Sequence, residues 1–165
     1  MPQPHRPKLL AAVALALLLP ACSSSTPTVP DVPRATIQVT IDPNPIPGVQ
    51  NALTGAVTAS YKVVITEASG LGGTVSFVSS TVFDPQTGLQ VGLNYFDGAD
   101  LLVFVGTDRV EPGGTLSVPQ TTTYLLPDLR TAATLTVAVQ FKDDRNNLLN
   151  SSVLVAIQGP TPAPQ

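Results

Sequence analysis

The chain has 165 residues, 43% of them hydrophobic and only 12% charged, with 17 prolines and 12 glycines. That length suits one domain with a real core rather than two, and so little charge beside so much apolar character excludes a wholly disordered chain. The prolines and glycines exclude long helices in the body of the chain, and the absence of any Lys/Arg run excludes the usual electrostatic footprint of a nucleic-acid binder.

The chain opens on "MPQPHRPK", residues 1–8, which carries Arg6, Lys8 and His5 and no acid. Residues 9–19, "LLAAVALALLL", form an unbroken apolar run of eleven. That run is too short to span a bilayer as a helix and fits the hydrophobic region of a signal peptide. It ends in Leu19-Pro20-Ala21-Cys22, which holds the only cysteine of the chain. These four residues resemble the lipobox of bacterial lipoproteins: an aliphatic residue, a small residue, Ala or Gly, then Cys. Leu19, Ala21 and Cys22 match, and Pro20 departs from the pattern at the second position. The resemblance implies cleavage of residues 1–21, a diacylglyceryl group on the Cys22 thiol, and acylation, typically by palmitate, of the new N-terminus. Two or three acyl chains hold a protein stably on a membrane, whereas one does so only marginally. Lipidation also accounts for a lone thiol in an exported chain, where cysteines otherwise come in pairs. Residue 23 is Ser rather than Asp, which resembles the outer-membrane pattern of bacteria with two membranes. The implied location is the cell envelope, and the implied partner is the membrane.

Residues 22–34 read as a tether, rich in Ser, Thr and Pro and poor in anything that packs. Its twelve residues after Cys22 reach about 35 Å at roughly 3 Å each. The closing "GPTPAPQ", residues 159–165, reads as a disordered tail. Beyond Cys22, six basic residues face eleven acidic ones, a net charge near −5.

Between them, residues 35–158 show period-two alternation. "TIQVTI" (36–41) alternates Ile37, Val39 and Ile41 with polar residues. "TASYKVVITE" (58–67) sets Ala59, Tyr61, Val63 and Ile65 on one face. "TVSFVSSTVF" (74–83) places Val75 and Phe77 together. "LQVGLNYF" (89–96), "DLLVFVG" (100–106), "GTLSV" (114–118) and "TTTYLL" (121–126) add shorter candidate strands. "TLTVAVQF" (134–141) points Leu135, Val137, Val139 and Phe141 inward, and "SVLVAI" (152–157) is apolar on both faces, as a central strand is. Turn signals separate them: "SGLGG" (69–73), "DPQTG" (84–88), "FDGAD" (96–100), "EPGG" (111–114) and "KDDRNN" (142–147). The pattern predicts an all-β domain, a single antiparallel β-sandwich of seven to nine strands resembling immunoglobulin or fibronectin type III domains. The stretch "VEPGGTLSV" and the closing hairpin resemble bacterial Ig-like envelope domains. A closed β-barrel is the structural alternative. No cysteine pair and no tryptophan is present to carry the antibody-type hallmarks.

Chemistry is sparse. The one histidine, His5, falls in the signal segment, so the remaining chain lacks Ser-His-Asp and Cys-His nucleophiles and the usual zinc or copper ligands. Asp97 with Asp100, and Asp108 with Glu111, are carboxylate pairs that flank turns, where Asp bonds its own backbone. Asp143, Asp144 and Asn146, with Asn147, are the densest oxygen cluster and the candidate calcium ligands, but their spacing is not that of an EF-hand. "SGLGG" lacks the lysine and spacing of a phosphate loop. Asn94, Tyr95, Asp97 and Asp100 form a candidate contact patch, while the period-two pattern assigns Tyr61, Phe77 and Phe141 to the core. No cofactor is expected. The function expected is a non-catalytic, lipid-anchored binding module for an envelope protein or glycan, working through loops 69–73, 96–100 and 142–147. A structural or assembly subunit pairing through sheet edges is the alternative, and an enzyme using carboxylates alone ranks last.

Overall fold

Runs in which hydrophobic residues alternate with Thr, Ser and Gln bury one face only by pairing into sheets and stacking them. The computed structural model describes residues 33–159, and there the runs form nine strands and one short helix. In chain order these are β1 (Ile37–Asp42), β2 (Ile46–Gln50), β3 (Val57–Glu67), β4 (Gly73–Phe83), β5 (Gln90–Asp97), α1 (Gly98–Phe104), β6 (Arg109–Val110), β7 (Thr115–Tyr124), β8 (Ala133–Asp143) and β9 (Leu148–Gln158). The protein is all-β, as the alternation predicts. One layer holds β1, β2, β3 and β7, and the other runs β9-β8-β4-β5 with β6 against the start of β4. β2 belongs to both. It lies antiparallel to β3 at Gly48–Gln50 and parallel to β9 at Ile46 and Pro47. The sheet expected to be wholly antiparallel is therefore mixed. The first strands of one layer and the last strand of the other run the same way, so where β2 reaches across, only a parallel pairing is open to it.

One core fills the space between the layers. β3 turns Val57, Ala59, Tyr61, Val63 and Ile65 into it, and β8 turns in Leu135, Val137, Val139 and Phe141. Each Val, Leu, Ile or Phe among them contributes roughly 1.5–3 kcal/mol by leaving water. A polar link crosses this core: Tyr61 Oη and Ser80 Oγ both donate to Gln120 Oε1, joining β3, β4 and β7.

Four sequence expectations give way. Phe77 is not core. The β4–β8 register jumps between Val75 and Phe77, so Ser76 is an extra residue, Phe77 turns outward, and Val78, Ser80 and Val82 take the inner face. Residues 100–106 are not a strand. Asp97 caps a helix by accepting from the Asp100 N–H at 2.9 Å, and the Asp100 carboxylate accepts from the Asp97 N–H at 3.2 Å. This capping box overrides the β-propensity of Leu-Leu-Val-Phe-Val. Third, "GTLSV" and "TTTYLL" are one strand, β7, running through Pro119. β7 pairs only with β3, and its other edge is where Asn94 Nδ2 reaches the Thr121 carbonyl at 2.7 Å. Pro119, two residues away, faces that same edge, so its missing N–H breaks no ladder bond. Finally, "SVLVAI" buries one face only: Val155 and Ile157 point inward and Leu154 is exposed.

Candidate interaction surface

The strands bring the three candidate loops to one end of the sandwich, the end where β1 starts, β3 and β8 finish, and β4 starts. Glu67 closes β3 at the inward position of the alternation, and only 1% of its surface is exposed. Its carboxylate accepts from the N–H groups of Ser69 (2.8 Å), Gly70 (2.8 Å), Leu71 (3.2 Å), Gly113 (2.9 Å) and Thr36 (3.4 Å), and from the Ser69 hydroxyl. Burial alone pushes this carboxyl up, but these donors outweigh it and bring it down to about 2. The anion thus ties the 69–71 loop, the "EPGG" turn and the start of β1 together through these donors.

Asp143, at the end of β8 in the opposite layer, does similar work. It accepts from the N–H groups of Ala35 (3.2 Å), Arg145 (2.9 Å) and Asn147 (2.8 Å) and from the Asn147 amide (2.9 Å). Burial opposes its ionisation, and the Asn147 amide and the backbone donors prevail, holding it below the usual range. Asp144 meets Arg109 in a two-pronged pair, both contacts 2.9 Å, and the same guanidinium reaches Glu111 at 3.0 Å. Arg109 holds Asp144 low, and its own pKa rises in return. Asn146 sits at the hairpin tip with φ +66°. Asp143 and Asp144 are therefore engaged as loop scaffolding. Among the described residues no cluster of three His, Cys, Asp or Glu side chains is placed to hold a metal.

The contact-patch residues divide. Asp97 and Asp100 are committed to capping α1, and Asn94 to the Thr121 carbonyl. Tyr95 is exposed on β5 and stacks on Phe77 with ring centroids 5.6 Å apart. α1 anchors itself through Leu101, which is fully buried, and through Phe104, which packs edge-on against Phe96 at 5.6 Å. Gly98 brings α1 beside Asp108 and the Val75 carbonyl, and Asp108 accepts the Val75 N–H at 2.8 Å through its own carbonyl. α1 therefore lies at the same end as Glu67 and Asp143. There it leaves Leu102, Val103 and Phe104 54%, 77% and 66% exposed. At this end the buried carboxylates serve the loops, while consecutive apolar side chains face outward. Sequence reading missed both. Glu67 could have been found from its parity with Ala59, Tyr61, Val63 and Ile65. The outward triplet could not, because it depends on the helix.

A third buried carboxylate, Asp84, marks the opposite end. Asp84 receives Arg130 at 2.7 and 2.9 Å, the Gln86 N–H at 3.0 Å and the Thr87 hydroxyl at 2.8 Å, and Arg130 chiefly holds it well below the carboxylate range. Leu53, Leu89 and Leu125 are exposed there. Cys22 and Ser23 lie outside the described residues.

No protein-family model matches the chain, and no curated protein does. Solved structures do. The structural-genomics target SoR45 is similar over 75% of this chain and 87% of its own, with a TM-score of 0.58 at 12% identity. A protein from Bordetella pertussis described as ApaA is similar over 74% and 94%, with a TM-score of 0.55 at 14% identity. The likeness is one of fold.

Proposed function

We propose that this protein is a lipid-anchored protein of the bacterial cell envelope whose β-sandwich, of immunoglobulin-like kind, is a non-catalytic interaction module. Leu19-Pro20-Ala21-Cys22 supports the anchor. Two layers linked through β2, with β9-β8-β4-β5 opposite β1-β3-β7, support the Ig-like reading. The observation that carries the module reading is the division of labour at the α1 end. Glu67, Asp143 and Asp144 are taken up there by internal donors, and Leu102, Val103 and Phe104 face outward as an apolar surface suited to contact.

A specific observation favours the assembly-subunit alternative. β5 is a terminal strand of its layer and carries no Lys or Pro, and the bulge at Val91 interrupts only its start, leaving residues 92–97 in unbroken register with β4 as an open edge. In vivo cross-linking of the lipidated protein in native envelopes tests both. A single protein recovered at near-stoichiometric yield supports the assembly subunit. Scattered, substoichiometric recovery supports a module whose ligand is a glycan or lipid. If the Cys22→Ser variant fractionates with membranes as the parent does, the anchor reading fails.

A further inference from the structure

We propose that α1 is a second, non-covalent membrane contact, with Leu102, Val103 and Phe104 seated at the headgroup–acyl boundary of the bilayer that holds the anchor; this rests on the lipoprotein reading of Cys22. The Ala35 N–H is fixed to the Asp143 carboxylate, and the Thr36 N–H to Ser69 Oγ at 3.1 Å and to Glu67. The tether therefore enters the sandwich at the end that carries α1. The twelve residues between Cys22 and Ala35 reach about 35 Å when extended. That keeps α1 close to the bilayer at high effective concentration, so a contact too weak to recruit a free protein still forms.

The exposed segment is consecutive and apolar, with no basic residue in the last turn of α1. The contact should therefore need no anionic lipid and should persist in salt. A membrane fits this surface better than a protein does. Seven residues of helix cannot supply the roughly 800 Å² per partner of a standard protein interface, whereas three apolar side chains held beside a bilayer need no such area. Leu53, 97% exposed at the opposite end of the sandwich, is turned away from the anchor and serves as the internal control.

Lipidation consumes the Cys22 thiol, so Val103→Cys and Leu53→Cys each place one reactive thiol in the lipidated full chain. The measurement is the rate of modification by a water-soluble maleimide in phosphatidylcholine/phosphatidylethanolamine vesicles. The reference is the same substitution in a soluble Cys22→Ser background. We expect modification at 103 to slow by about tenfold or more on vesicles, and modification at 53 to be unchanged. Equal rates at 103 on vesicles and in solution would overturn the contact, as would protection at 53 instead. Protection at 103 in native envelopes but not in pure lipid would assign α1 to a protein and likewise overturn it. Mass analysis of the N-terminal peptide keeps the two readings apart. A lipidated peptide with an unprotected thiol at 103 sinks only the α1 contact, whereas a peptide without lipid sinks the anchor and the contact resting on it.

Discussion

Glu67 keeps its negative charge while buried because five backbone N–H groups and a hydroxyl point at it. Replacing it by Gln keeps the shape but aims an amide NH₂ at those donors. Glu67→Gln should cost about 2 kcal/mol, the scale of hydrogen bonds to a charged group, read from urea unfolding at pH 7. The pH dependence follows from the direction of the shift. The folded carboxyl titrates at about 2, below its ordinary 4.5, so its contribution is complete above about 4.5 and drains away as pH falls toward 2. Urea midpoints taken between pH 5 and 2 should fall less steeply in Glu67→Gln than in the parent. Arg130→Ala should lower the melting temperature by stranding Asp84, and adding Asp84→Asn should recover part of the loss, a non-additivity read from the double-mutant cycle. Residue-level roles were legible only in part. The parity of Glu67 is written in the sequence, but two of its donors, Thr36 and Gly113, lie 31 and 46 residues from it, and no local pattern brings them together.

Two elements show where period-two reading stops. The alternation in β3 and β8 translates directly into their buried faces, since nothing interrupts either strand. In β4 one extra residue at Ser76 reverses the facing of everything before it relative to everything after, and a bulge leaves no mark in hydrophobic pattern alone. In α1 two aspartates three apart decide for helix against an apolar run that favours strand. Leu101→Ala should cost about 2–5 kcal/mol because that side chain is fully enclosed. Leu102→Ala, one position along, should stay within about 0.5 kcal/mol. Calorimetry on the pair separates burial from mere apolarity. Gly73 is constrained from another side: a Cβ there would meet the Lys142 carbonyl, Phe141 Cζ at 2.6 Å and the Asp143 Cα at 2.8 Å. Gly73→Ala should cost about 1–3 kcal/mol by overpacking β4 against β8, seen as a lower urea midpoint with an unchanged slope.

At the scale of the whole domain, the ionisable groups leave a wide quiet interval. Glu67, Asp84 and Asp143 are all held low, and the single histidine lies outside residues 33–159. Burial raises the hydroxyls of Tyr61 and Tyr124 to about 12 from an ordinary 10, so what they contribute is present below pH 10 and lost as pH climbs toward 12. Thermal midpoints should therefore be flat from about pH 5 to 9 and decline on both sides, and a step near pH 6.5 in a calorimetric series would contradict this. The all-β class was legible because alternation, turn chemistry and the lack of long helical periodicity agreed. The strand shared between layers was not, because "IPGVQ" is short, holds both Pro and Gly, and owes its place to neighbours on two sides. That shared strand has a mechanical consequence. The chain enters β1 at the α1 end and leaves β9 at the other, so a load between a fixed N-terminus and anything gripping the C-terminus acts along the strands. β2 and β9 point the same way and would be drawn in opposite directions, so their bonds would resist in shear, together, rather than open one by one like a zip.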